Sequence, residues 1–449
     1  IKQIAEKTLS VKKFNGRELK GEYDRLIQNI VLEPKPKHYS VKTSEKIPLW
    51  DCAKAPCISG CPTAQKIPEY ISDILRKDYN AALQKILIDN PLPNITGEIC
   101  EQNCITKCTR IDYDYPVRIR ALKKMAAQNG KATFSKTKKL SNTKCAVVGA
   151  GPAGLSNAYF LSKAGFDVSV FYNELPGGTV ANVIPQFRIT TEIIKSDLDF
   201  LLEMGVKFIQ VDSDEVSIES LKSSDYKYIF LGIGASKAKT LKISGDGEII
   251  NSIEFLRKFH KSEKFTDWGS EIAVIGGGNS AMDAARAALR LPNTKNVYLV
   301  YRRTREFMPA DKEEFENALK EGAEFCELLS PVSFNSKGEL VLEKMSLTET
   351  AINGRKEVTG SGETKKMIVD EVITAIGEQP DENWLKINGV NLVQTDISSL
   401  ETNIANVFIG GDVLHGPSNI ITAVADGKKC AEEILRREGI VSKESEVDT

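Results

Sequence analysis

Three observations predict an α/β protein with two Rossmann-like units, the second inserted in the first, preceded by an α-helical cysteine-rich domain. A strand, glycine turn and helix phrase occurs twice, as TKCAVVGAGPAGLSNAYFLSKAG at 143–165 and SEIAVIGGGNSAMDAARAAL at 270–289. Each phrase has a closing partner, LGIGA at 231–235 and ITAIGEQP at 373–380, and a third glycine pair, VFIGGDV at 407–413, follows both. That nested order is what an inserted second unit produces. Six of the nine Cys (Cys52, Cys57, Cys61, Cys100, Cys104 and Cys108) fall ahead of the first glycine phrase.

The expected domains follow from these landmarks. Residues 1–142 form a helical region with the cysteine segment. Residues 143–255 and 370–449 form the split first unit, and 256–369 the second. In the first region, apolar positions recur with helical spacing at 64–90, through Ile67, Ile71, Ile74 and Leu75, then Ala82, Leu83, Ile86 and Leu87. Another helix is predicted over 116–129. PKPKHYS at 34–40 reads as extended, and KATFSKTKKLSNTK, ending at Lys144, reads as a linker. Beyond it, CAVV, DVSVFYN, YKYIF and NVYLV read as buried strands, and 418–436 as a long helix.

Composition narrows the function. Sixty Lys plus Arg against sixty-one Asp plus Glu leave a net charge of −1, which argues against a nucleic-acid surface spread over the molecule. No 18-residue apolar run is present, so no membrane span is expected in this window. Only three His occur, His38, His260 and His415, so hydrolytic constellations lack material.

Gly149, Gly151 and Gly154 make G-x-G-x-x-G directly after a buried strand, the pattern that seats a pyrophosphate on a helix N-terminus. The second strand would ordinarily end in a carboxylate for ribose hydroxyls, yet Tyr172 stands there, with Glu174 two residues on as the substitute. The second unit carries Gly276, Gly278 and Ala281, with Asn279 and Ser280 opening its helix. Arg302, Arg303 and Arg305 follow its second strand. Cations where a carboxylate would otherwise sit suit a 2′-phosphate, hence NADPH in preference to NADH. Gly411 and Asp412 precede a helix that opens near Asn419 and Ile420. In a flavoenzyme with two dinucleotide units, that Asp could hold the ribitol and that helix could face the isoalloxazine. A turn role is the alternative for Asp412, as for His415 and Glu378.

The cysteine spacings are Cys52-x4-Cys57-x3-Cys61 and Cys100-x3-Cys104-x3-Cys108. Thiolates suit iron–sulfur clusters or zinc, and six can complete only one [4Fe–4S] cluster. Cys145, Cys326 and Cys430 each stand alone, so no dithiol is offered to a flavin and a disulfide-reductase reading lacks its CxxC.

The strings IPLWDCAKAPCISGCP, PLPNITGEICEQNC, GAGPAG, IPQFRI, GGGNSAMDAA, YRRTREFMPA and IGGDVLHGPS, in this order, resemble the glutamate synthase small-subunit type of FAD- and NAD(P)-dependent iron–sulfur oxidoreductase. That type is shared by the amino-terminal part of dihydropyrimidine dehydrogenase. Residues 45–130 look closest to the selenate reductase-type branch. The resemblance implies FAD, NADPH and two [4Fe–4S] clusters, with electrons leaving for a catalytic partner subunit or a covalently linked domain. It places Gly178 and Arg188 near the flavin. It assigns Cys61, Cys100, Cys104 and Cys108 to one cluster. The other would take Cys52 and Cys57, with Leu49 and Lys123 at its remaining positions, and neither residue is a good ligand. One intact cluster is therefore predicted, and the second lacks a full ligand set. An oxygen-sensitive cluster without a visible signal peptide predicts a cytoplasmic setting. The alternative, motivated by Tyr172, Leu49 and Lys123, is an assembly subunit that keeps the fold without the cofactors.

Overall fold

The computed structural model describes residues 55–133, 143–212, 215–261, 268–352 and 355–440. Cys52, Leu49, the 34–40 stretch and the 134–142 part of the linker lie outside these residues. Labels below count helices of seven or more residues and strands of three or more.

The apolar rhythm at 64–90 becomes two helices, α1 (Ile67–Leu75) and α2 (Tyr79–Asp89). Lys77 breaks them apart at a φ of 61°, and Asp78 caps α2 by accepting from the Ala81 N–H. Ile67, Ile74, Ala82, Ile86 and Leu87 are buried; Leu75, the last residue of α1, is exposed. Next, α3 (Pro93–Ile99) leads straight into Cys100, and α4 (Ile119–Asn129) packs against it so closely that a Cβ on Gly97 would stand 3.0 Å from the Lys124 Cα.

The first unit comprises β1 (Lys144–Val148), α5 (Pro152–Lys163), β2 (Asp167–Tyr172), α6 (Thr191–Glu203), β3 (Lys207–Gln210) and β4 (Tyr226–Leu231). The second comprises β5 (Ile249–Asn251), α7 (Ser252–His260), β6 (Glu271–Ile275), α8 (Asn279–Ala288), β7 (Asn296–Tyr301), α9 (Lys312–Lys320) and β8 (Glu324–Glu327). It continues through β9 (Leu329–Phe334), β10 (Glu339–Ile352), β11 (Arg355–Ile368) and β12 (Glu371–Thr374). The chain then returns to the first unit with β13 (Val407–Ile409) and α10 (Ile420–Arg437).

Both large sheets are parallel, in the orders β13-β4-β1-β2-β3 and β5-β12-β6-β7-β8. Their central strands are apolar on both faces, as helix-covered parallel strands must be, with Val147, Val170, Ile229, Ile272 and Val274 all buried. Strands β5 and β12 lie outside the expected 256–369 yet pair within the second sheet, through Ile373 against Ile250 and Val274. An antiparallel β9-β10-β11 sheet was not anticipated from sequence. Neither long strand keeps a period-2 apolar pattern, and Arg355–Ile368 holds few apolar residues, although the Asn-Gly pair at 353–354 between them is a hairpin-turn sequence.

Two junctions position the site. On one side α10 lies against α5: Ser156 Oγ donates to the Val424 carbonyl at 2.7 Å, and a Cβ on Gly427 would meet the Ala153 carbonyl at 2.2 Å. On the other, the buried Asp197 of α6 crowns the start of α3. Its carboxylate accepts from the Asn94 N–H at 3.2 Å, the Asn94 side-chain amide at 2.8 Å and the Ile95 N–H at 2.8 Å.

Replacing Asp197 by Ala strands those three donors in a buried junction. Unfolding should lose about 2–3 kcal/mol, and limited proteolysis should cut first within 90–110. Wild-type stability and cleavage in that variant would show that the junction does not depend on the cap.

Candidate functional site

One cleft of about 620 Å³ takes its walls from the first glycine turn and from the start of the helix that follows the second, whose Gly276 and Gly278 are not among its lining. Gly149, Gly151 and Gly178 line it from the first unit, and Asn279 and Ser280 from the second. The turns are tight for a physical reason. Gly149 has a φ of +104°, and a Cβ there would lie 2.3 Å from the Gly232 carbonyl oxygen; one on Gly154 would lie 2.0 Å from the Gly149 oxygen. In the second unit a Cβ on Gly276 would lie 2.2 Å from the Ala375 oxygen. Helices α5 and α8 both begin at a glycine, Gly151 and Gly278, with no side-chain cap, so their first N–H groups are left for an anionic ligand. These open helix ends and uncluttered turns fit the pyrophosphates of FAD and of a nicotinamide dinucleotide.

The remaining predicted residues divide. Tyr172 and Glu174 both line the cleft, and Glu174 pairs with Arg257 of α7 at 3.2 Å. Gly411, Asp412, Asn419 and Ile420 line its far end. Burial pushes the Asp412 carboxyl up, while it accepts at 3.1 Å from both the N–H and the hydroxyl of Ser418. Glu378 accepts from Ser280 Oγ at 3.4 Å, and burial, then the nearby Asp412, raise it as well. His415 instead faces Asp426 at 3.2 Å, a turn role. Arg302 is exposed at the end of β7, whereas Arg303 donates to the Lys356 carbonyl and Arg305 pairs with Glu316. Arg188 lines the cleft, but its guanidinium is taken up by Asp283 and Glu314.

Cys61, Cys100 and Cys104 line a small cavity of about 20 Å³, together with Gln65, Tyr70 and Lys123, and Cys108 is not among its walls. The 3-10 turn Asn103–Lys107 separates the pair: Cys104 lies within it, whereas Cys108 follows in extended conformation and acts electrostatically on Cys57. Lys123, placed by resemblance with Cys52 and Cys57, is 3% exposed beside the other three thiols. Burial pushes the Cys57 and Cys100 thiols up and Cys104 up to about 12, and the Lys123 cation pulls Cys100 and Cys104 back. Among the described residues no three ligating side chains converge on one ion, so these thiols ring the cavity rather than grip a point. Three soft, buried donors around a hollow match the donor chemistry of an iron–sulfur cluster.

Cleft and cavity share a wall one residue thick. Ile99 and Glu101 face the cleft while Cys100 between them faces the cavity; Ile420 faces the cleft and Ile421 the cavity. Nothing in the sequence marked Glu101. Burial pushes its carboxyl up to about 7, against the pull of its own and the Ile420 amide and of Arg188.

Residues 143–427 match the pyridine nucleotide-disulphide oxidoreductase family, and residues 41–134 match dihydropyrimidine dehydrogenase domain II, 4Fe-4S cluster. The chain belongs to the pyridine nucleotide-disulphide oxidoreductase family. It is an oxidoreductase with a flavin- and nicotinamide-binding fold joined to an iron–sulfur domain. It is similar to YgfK of Escherichia coli K12, 40% identical over 432 residues that cover 93% of this chain and 42% of that protein. The beta subunit of NADPH-Fe(3+) oxidoreductase from Geobacter sulfurreducens is 32% identical over 434 residues, 85% of this chain and 63% of that one. The chain thus spans less than two thirds of these relatives. FprA from Mycobacterium tuberculosis, solved with NADPH, shares the fold at a TM-score of 0.55 and 17% identity, over 68% of this chain and 87% of that one. Among the described residues no helix is long and apolar enough to cross a membrane.

Two substitutions test the site. Gly154→Val forces a side chain into the Gly149 backbone and should yield protein without flavin, read from the visible spectrum. Cys104→Ser and Cys108→Ser should each abolish the low-temperature EPR signal of a reduced cluster. A signal kept in Cys108→Ser would remove Cys108 from the four-cysteine set read from the sequence.

Proposed function

We propose that this chain is the electron-input part of a larger assembly, carrying electrons from NADPH through FAD and one [4Fe–4S] cluster to a partner subunit or linked domain in the cytoplasm. The observation that carries this reading is the shared wall. Residues 99–101 and 420–421 place the cluster cavity and the flavin cleft back to back, so electrons need cross only one layer of packed side chains.

Bound together, these groups supply hydride transfer from nicotinamide to flavin and single-electron transfer onward to the cluster. The protein's part is positional. Gly151 and Gly278 present helix N-termini to the two pyrophosphates, and Asp412, held by Ser418, offers an acceptor to flavin hydroxyls. The amino-terminal turn of α10 turns its positive end toward the flavin end of the cleft. Arg302, exposed just after β7, is the residue whose position in the sequence suits a 2′-phosphate. No residue has to accept a proton during hydride transfer, which fits a cleft with no histidine among the described residues that line it. That several relatives are named as subunits, such as subunit PreT of an Escherichia coli NAD-dependent dihydropyrimidine dehydrogenase, supports a partner for the outgoing electrons.

An anaerobic visible spectrum of the purified chain tests the reading. The flavin band should bleach on one equivalent of NADPH over a broad cluster absorbance. A colourless chain that NADPH does not change would instead fit an assembly subunit. Arg302→Ala should weaken NADPH about tenfold and leave NADH unchanged in a titration of flavin reduction; equal losses for both would move the phosphate contact elsewhere.

A further inference from the structure

We infer that Arg188 is a positioning residue: it pins helix α8 of the second unit against the flavin cleft, so that the two nucleotide sites are held face to face without a swing of one unit. This rests on the hydride-transfer reading above and adds to it the element that sets the geometry.

The segment 183–188 belongs to the first unit in sequence but packs into the second. Val183 is 5% exposed within the core that holds Ile253, Ile272 and Ala281. The Phe187 ring lies under two guanidinium groups of α8 and its C-terminal end, Arg286 at 4.7 Å and Arg290 at 4.0 Å. Arg188 then closes the joint. Its Nη1 donates to both Asp283 oxygens, at 3.0 and 2.8 Å, and its Nε lies 3.3 Å from a Glu314 oxygen. Side-chain exposure is 8% for Arg188 and 5% for Asp283, so water contributes little to neutralising either. Arg286 holds the other Glu314 oxygen at 2.6 Å, which spans α8 to α9.

Breaking a buried pair by removing one partner leaves an uncompensated charge. Without Arg188, Asp283 and part of Glu314, both on the second unit, would be left as neighbouring uncompensated carboxylates at the joint, and opening it to water would be the relief. Asp283 is three residues after Ser280 and shares the cleft wall with it. A shift of α8 is therefore a shift of the nicotinamide site relative to the flavin site, and misplacement on the scale of an ångström can cost about a hundredfold in rate.

The test compares Arg188→Met, Arg188→Lys and Asp283→Asn with wild type in two ways. Hydrogen exchange on the protein without nucleotide should rise within 183–188 and 279–288 for Arg188→Met and Asp283→Asn, and less for Arg188→Lys. Anaerobic stopped-flow should show flavin reduction at saturating NADPH slowed at least tenfold in Arg188→Met, with half-saturation changed less than threefold and partial recovery in Arg188→Lys. A part that only stabilises the fold would lower the melting temperature without that rate split. Wild-type exchange and wild-type reduction rates in both Arg188→Met and Asp283→Asn overturn the inference. If wild type itself is not reduced by NADPH, the hydride-transfer reading fails, while the exchange comparison still decides whether the joint is pinned. If Arg188→Met loses flavin, Asp283→Asn carries the rate comparison.

Discussion

The arrangement depends on one buried carboxylate at a helix start. Asp197 binds the first N–H groups of α3 to α6, and α3 runs directly into Cys100. A helix N-terminus buried without acceptors would be costly, so the cap fixes both the position and the direction of α3. Everything about the cysteine cavity follows from that direction: Ile99 and Glu101 are turned to the cleft, Cys100 away from it. The same logic holds at α10, where Asn419 caps through Thr422 and leaves Ile420 and Ile421 on opposite sides of the wall.

Charge then ties the three parts together at the places where movement would matter. Arg120 of α4 donates to the Cys100 carbonyl at 3.0 Å and pairs with Glu313 of α9 at 2.6 Å, linking the cluster loop to the second unit. Its exposed partner makes this a weaker tie than the enclosed Arg188 joint. Both run from a residue that lines a cofactor site to a helix of the second unit, which gives them a role in alignment rather than chemistry.

The glycine turns, the parallel strands and the nested order of the two units were legible in the sequence because each depends on local backbone demands. A carbonyl 2.0–2.3 Å from any added Cβ leaves a mark at Gly149 and Gly154 that no partner can disguise. The surroundings of the cysteines were not legible, because Tyr70 of α1 and Lys123 of α4 reach the cavity of Cys61, Cys100 and Cys104 only through the packing of helices far apart in sequence. Glu101, Asp283 and Asp197 were likewise invisible, since a single carboxylate in a helix or loop carries no pattern until its cross-chain partners are known. The β10–β11 ribbon has no period-2 apolar pattern to announce strands, and its sequence mark is the Asn-Gly pair at 353–354.

The split of the first unit has a consequence for how the molecule is made. Strand β13 pairs with β4 in the register Val407 to Ile229, and Ser156 bonds to Val424, across 268 residues of chain. An edge of the first sheet and the helix that covers its glycine turn are therefore made only after every strand of the inserted unit. The inserted unit, whose strands are all synthesised earlier, can form its own sheet while the first waits incomplete with apolar surface uncovered. Closing so long a loop also slows the search for the native pairing. The cleft is thus complete only once β13 and α10 have been made, and any cofactor that enters it must wait for them.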